Sequence, residues 1–200
     1  MLHKLSEKYH IILASGSPRR QQFFKDLGLD FEIRLKSVEE VYPEQLQHHE
    51  ISDYLAKLKA SVFTNELKAN EVLVTSDTVV WHEGVSLAKP QDAQEAFDMI
   101  FAMKGKSHEV ITSVCFTTAT SQKVVHEITK VIFEDMTEDE IWYYINNFKP
   151  FDKAGAYGIQ EWIGYTKVAR IEGSYANVVG LPTHLVYKVF SEIAQLFPEN

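Results

Sequence analysis

The segment "EVLVTSDTVVW", Glu71 to Trp81, limits the fold more than any other stretch of the chain. Valines and other apolar residues run along it at the density of a largely buried β-strand. In its middle stands Asp77. A carboxylate buried without partners is expensive, so Asp77 requires cations, hydrogen-bond donors, a metal or a water-filled cleft. The alternative is a strand end turning into solvent. Against it stand Val79, Val80 and Trp81, which resume the apolar pattern directly after Thr78.

Strands and helices alternate around this segment. "YHIILA" reads as a buried strand, and "SPRRQQFFKDLGL" as a helix with Ser17 at its cap, Pro18 at its first position and Gly28 near its end. "DFEIRLK" alternates like a strand, and "SVEEVYPEQLQHHE" reads as a loop. A helix is predicted from Ser52 through "DYLAKLKASVFTNEL", with Tyr54, Leu55, Leu58, Val62 and Leu67 on its buried face. Lys59 borders that stripe, so its stem can pack while its ammonium reaches a neighbouring cleft.

Further on, "QDAQEAFDMIFAMKG" has helical period, with Ala93, Ala96, Phe97 and Ile100 repeating and Gly105 able to end it. "SHEVITSVCFTT" and "KVVHEITKVIFE", joined by "ATSQ", form a predicted hairpin. "TEDEIWYYINNF" has the capping-box spacing of Thr137 and Glu140. "DKAGAYGIQ" reads as a loop, "WIGYTKVARIEG" as a strand and "LPTHLVYKVFSEIAQLF" as a terminal helix. With no internal repeat and no linker, the expectation is one α/β domain over residues 1–200 with a mixed sheet.

The charge balance narrows the partners. A net charge of -8 leaves no basic stripe for a nucleic-acid backbone. A small anion is still compatible, because a few converging cations set the local field. The single cysteine, Cys115, sits in the apolar run "VITSVCF" and is expected in the core. No apolar run is long enough for a membrane span, so a soluble cytoplasmic protein is expected.

Polar residues at the element borders supply the parts of a phosphate site. "ASGSPRR" brings backbone donors at a helix start, two hydroxyls and two guanidiniums, a set suited to an anion. A capped helix with solvated arginines is the plainer alternative. Glu39 and Glu40 in "VEE", Lys59, and Lys89 in "LAKP" add carboxylates for a divalent cation and cations for phosphates. The adjacent His48 and His49 read as part of a solvated loop. His3, His10, His82, His108, His126 and His184 have no ligand spacing.

Taken in order, "LASGSPRR", "VEE", "AKLKA", "SDT", "AKP", "FDKAGAYGIQ" and "NVVGLP" resemble the Maf family of nucleoside triphosphate pyrophosphatases over nearly the whole chain. The resemblance implies an inosine-triphosphatase-like α/β fold: an elongated mixed sheet flanked by helices, with two lobes and a central nucleotide cleft. It further implies a divalent cation, magnesium or manganese, and in many members a homodimer. By this likeness Asp77 is the catalytic proton acceptor; Asp77 and Glu40 are the candidate metal ligands, and base and ligand roles for Asp77 are both open. Ser15, Arg19, Arg20, Lys59 and Lys89 are substrate-binding.

Arg19, Thr78 and Gln160 match the subgroup acting on dTTP and UTP rather than the one acting on 7-methyl-GTP. Ser76, where that subgroup usually has alanine, and Glu161, where glycine is usual, depart from the pattern. The implied reaction is hydrolysis between the α and β phosphates to a monophosphate and pyrophosphate. A broader taste for non-cognate nucleotides, or a nucleotide-binding regulator of cell division, are the alternatives.

Overall fold

The computed structural model describes residues 3–63 and 65–195. Among these, seven strands join one mixed sheet in the order β2-β1-β3-β5-β6-β7, with β4 paired to β3. The strands are β1 (His10–Leu13), β2 (Phe31–Ile33), β3 (Glu71–His82), β4 (Val85–Leu87), β5 (Ser107–Thr117), β6 (Gln122–Phe133) and β7 (Val168–Glu172). The helices are α1 (His3–Lys8), α2 (Pro18–Asp26), α3 (His49–Ser61), α4 (Ala93–Met103), α5 (Glu138–Phe148), α6 (Trp162–Lys167), α7 (Tyr175–Val179) and α8 (Thr183–Gln195). None of the described helices is long and apolar enough to cross a membrane.

The chain divides into two compact units. The first comprises residues 1–77, 112–127 and 180–200, and the second residues 78–111 and 128–179.

In the first unit β1 runs parallel to both β2 and β3. Because side chains alternate across a strand, Ile11, Leu13, Val72, Val74, Val114 and Phe116 pack with Leu5, Phe24, Val186 and Phe190 on one face. Ile12, Leu73 and Cys115 pack with Ala56, Ala60 and Phe63 on the other. Cys115 is thus the core thiol the sequence led us to expect, and burial pushes its pKa up.

The second unit buries Val80, Val110, Val131 and Phe133 against α4, α5 and the loop residues Ala156, Tyr157 and Ile159. Here Gly155, at φ 67°, comes so close to Val80 that an added Cβ would lie 3.0 Å from its methyls. Only glycine suits both demands.

Several elements differ from expectation. α3 spans 49–61 rather than starting at Ser52 and reaching Leu67, and Thr64 lies outside the described residues. Its buried face is Ile51, Ser52, Leu55, Ala56 and Ala60, while Tyr54 is exposed. Small residues let the helix lie close to the sheet, where Thr75 Oγ1 donates to Ala56 O at 2.7 Å. β2 is only three residues long.

The predicted strand over Trp162–Gly173 is a short helix, α6, followed by β7. Gly164 makes this possible, since a Cβ there would collide with the carbonyl of Ile159 at 1.7 Å. α1 and α7 have no counterpart in the sequence reading. Of the predicted terminal helix, Leu196 and Phe197 lie outside the described residues.

Candidate active site

The segment "ASGSPRR" forms the hand-over from β1 to α2. Ala14 N still donates to Val74 O at 2.9 Å, holding the chain against β3. Ser17 then caps α2, its side chain accepting from Arg20 N, and Pro18 follows at the helix start. Ser15 is buried and also shapes this turn: its hydroxyl accepts from Ser17 N at 3.3 Å, and its carbonyl accepts from Gln21 Nε2 at 3.1 Å. Arg19 is half-buried on the same first turn.

Arg20 reaches two backbone carbonyls. Its Nε donates to Gly180 O at 2.8 Å and its Nη1 to Ser76 O at 2.9 Å. Burial lowers its pKa, an effect that Asp77 opposes and Arg19 reinforces. The guanidinium therefore braces the backbone immediately before Asp77.

Lys59 approaches β3 from α3. Its Nζ donates to Asp77 Oδ1 at 2.6 Å and lies 3.0 Å from Glu40 Oε2. Asp77 is 6% exposed, and burial pushes its carboxyl above the ordinary aspartate range; Lys59, then Arg20, pull it back, and Glu40 raises it. The first unit thus brings Arg20, Glu40, Lys59 and Asp77 into one electrostatic cluster. Both carboxylates bond the Lys59 ammonium, and they are oxygen donors of the kind a hard divalent cation such as magnesium or manganese could take in its place.

The remaining expected residues belong to the second unit. Thr78 is half-buried on β3, Lys89 is exposed after β4, and Gln160 is half-buried in the turn before α6. That turn is anchored by Glu161 together with Tyr144 and Lys153, to which the sequence reading gave no role at the site. Glu161 accepts from the Tyr144 hydroxyl and lies 3.0 Å from Lys153 Nζ, while Gly158 N donates to the Tyr144 hydroxyl at 3.0 Å. Lys153 is itself 9% exposed. A lysine inside a glycine-punctuated apolar loop was the available signal.

Residues 10–193 match the family of Maf-like proteins. The chain belongs to the Maf family. Among Maf relatives, a protein of Flavobacterium johnsoniae named dTTP/UTP pyrophosphatase is 60% identical over 96% of this chain and 100% of its own length. One of Bacteroides fragilis with the same name is 46% identical, covering 95% of this chain and 97% of its own. The solved Ham1 protein of Staphylococcus aureus shares 14% of its residues with this Maf chain, covers 94% of it and 100% of itself, and superimposes with a TM-score of 0.54, a likeness of fold.

The two residues that the sequence reading set apart from the dTTP/UTP subgroup, Ser76 and Glu161, have distinct settings. Ser76 Oγ is buried without a hydrogen-bond partner among the described residues. Glu161 is the anchor of the Gln160 turn in this Maf chain.

Proposed function

We propose that this chain hydrolyses nucleoside triphosphates, dTTP and UTP before others, between the α and β phosphates, releasing the monophosphate and pyrophosphate. One observation carries the reading: a buried Asp77 bonded to Lys59 and braced by Arg20, in a chain 60% identical to a protein named dTTP/UTP pyrophosphatase.

Asp77 takes the proton of the water that attacks the α phosphorus. Its raised proton affinity suits a general base, because efficiency is greatest when the base's pKa approaches the working pH. Lys59 and Arg20 bring fixed positive charge to a site where the phosphate oxygens gain negative charge, and being pre-positioned they need no reorganisation. Ser15, Arg19 and the first amides of α2 hold the triphosphate, and Lys89 adds a further charge. Arg19, Thr78 and Gln160 read the base, the Gln160 amide offering one donor and one acceptor to the matching edge of thymine or uracil. Asp77 and Glu40 are the groups that would hold a magnesium or manganese ion, which when bound neutralises phosphate charge and polarises the phosphoryl group. Its substrates are cytoplasmic solutes, and the cytoplasm is where we place its action.

Initial rates on a panel of triphosphates with magnesium or manganese test this reading. dTTP and UTP are expected to give the highest kcat/KM. A preference for 7-methyl-GTP, or no turnover of any triphosphate, would overturn it.

A further inference from the structure

Two imidazoles and a carboxylate converge in the first unit, on a part of α3 removed from Lys59. His49 opens the helix, Asp53 follows one turn later on the same side, and His126 projects from β6. Asp53 lies about 9 Å before Lys59 along the helix axis, at a different angle around it. One nitrogen or oxygen from each of the three residues lies within 4.8 Å of the other two. His126 Nδ1 is 3.2 Å from both Asp53 oxygens, and the His49 and His126 rings are 4.4 Å apart between centroids with planes 36° apart.

A second layer fixes the carboxylate. Ser113 donates to Asp53 Oδ1 at 2.7 Å, and its hydroxyl lies 2.7 Å from that of Ser52. Ser52 in turn donates to the His49 carbonyl at 3.1 Å, so the serine pair links the Asp53 side chain to the backbone that carries His49.

We propose that His49, Asp53 and His126 form a binding site for a divalent transition ion of the zinc class, separate from the nucleotide site. A half-exposed histidine–aspartate ion pair needs one imidazole and contributes little. The His49 ring stands outside that pair, with its Nδ1 3.4 Å from His48 Nδ1 and its face against His126, and three donors within 4.8 Å of one another can satisfy one ion together. Two imidazole nitrogens and a carboxylate are a donor set that zinc and cobalt take readily, while magnesium prefers oxygen alone. The serine hydroxyls are the outer hydrogen bonds that such ligands commonly have. Once bound, the ion joins the start of α3 to β6 and so steadies the helix that carries Lys59.

Cobalt titration of untagged, metal-free protein in excess magnesium tests the proposal, because magnesium occupies the oxygen-donor site and leaves the imidazole site to cobalt. Visible ligand-field bands saturating at one equivalent, and reversed by zinc, are expected. His49→Ala and His126→Ala should each weaken cobalt binding about tenfold or more while magnesium-supported hydrolysis stays within about twofold of the unaltered protein. Asp77→Asn should retain the bands. Absent bands, bands equal in both histidine variants, or bands lost in Asp77→Asn would overturn the proposal. Should His126→Ala fail to fold, His49→Gln at the helix start makes the same comparison.

Discussion

Asp77 has an ammonium at 2.6 Å and a guanidinium close by, yet its pKa is raised rather than lowered. Desolvation is the largest influence, and the cations recover only part of it. A base whose proton affinity is raised must lose its proton before it can act. In the metal-free protein the Asp77 carboxyl is therefore expected to titrate above the ordinary aspartate value of about 3.9. Lys59→Met removes the strongest lowering influence and should move that titration to still higher pH; an unmoved Asp77 carboxyl resonance in an NMR titration of metal-free protein would contradict the assignment. Asp77→Asn keeps an oxygen for Lys59, so melting should shift by no more than a few degrees while kcat falls about 10³-fold.

A second buried group gives a stability prediction. His108 Nε2 lies 2.6 Å from the Tyr157 hydroxyl, and burial depresses its pKa from 6.5 to about 3. The unfolded chain takes up a proton below 6.5 that the folded one refuses. Stability is thus fully present above that pH and lost as pH falls towards 3. Denaturant midpoints should fall over this window, and less steeply in His108→Phe.

Asp77 was legible in the sequence because a carboxylate interrupts a valine-rich strand, and Lys59 because it borders a helical stripe. The partners of Arg20 were not. They are backbone carbonyls 56 and 160 residues away, and no side-chain pattern marks a carbonyl.

The elements differ in how far local chemistry decides them. α5 is set by its own ends: Thr137 accepts from Glu140 N, and the Glu140 side chain returns to Thr137 N at 2.9 Å. Thr137→Ala should cost about 1 kcal/mol, read as a lower melting temperature. Such a cap is visible in any sequence. α6 is the opposite case, because β-branched and aromatic residues favour a strand there while the Glu161 anchor and the close fit of Gly164 against Ile159 enforce a turn of helix. The early start of α3 likewise escaped notice, and with it the meeting of His49, Asp53 and His126. Adjacent histidines carry no ligand spacing in the sequence; the spacing appears only once Asp53 is one helical turn away and β6 lies beside it.

At the scale of the whole molecule, β3 passes from the first unit to the second between Asp77 and Thr78, so the proposed base and a proposed base-reading residue are consecutive on one strand. The α/β class and the mixed sheet were legible from the alternation of elements and from the buried β3 segment. Strand order was not, since β1 lies between β2 and β3 through pairings that no local pattern encodes. The account's central claim is that water attacks the α phosphorus under the control of Asp77. Hydrolysis of UTP in water labelled with heavy oxygen tests it most directly, with both products analysed by mass. The account predicts label in the monophosphate and unlabelled pyrophosphate. Label in pyrophosphate, or release of orthophosphate alone, would contradict it.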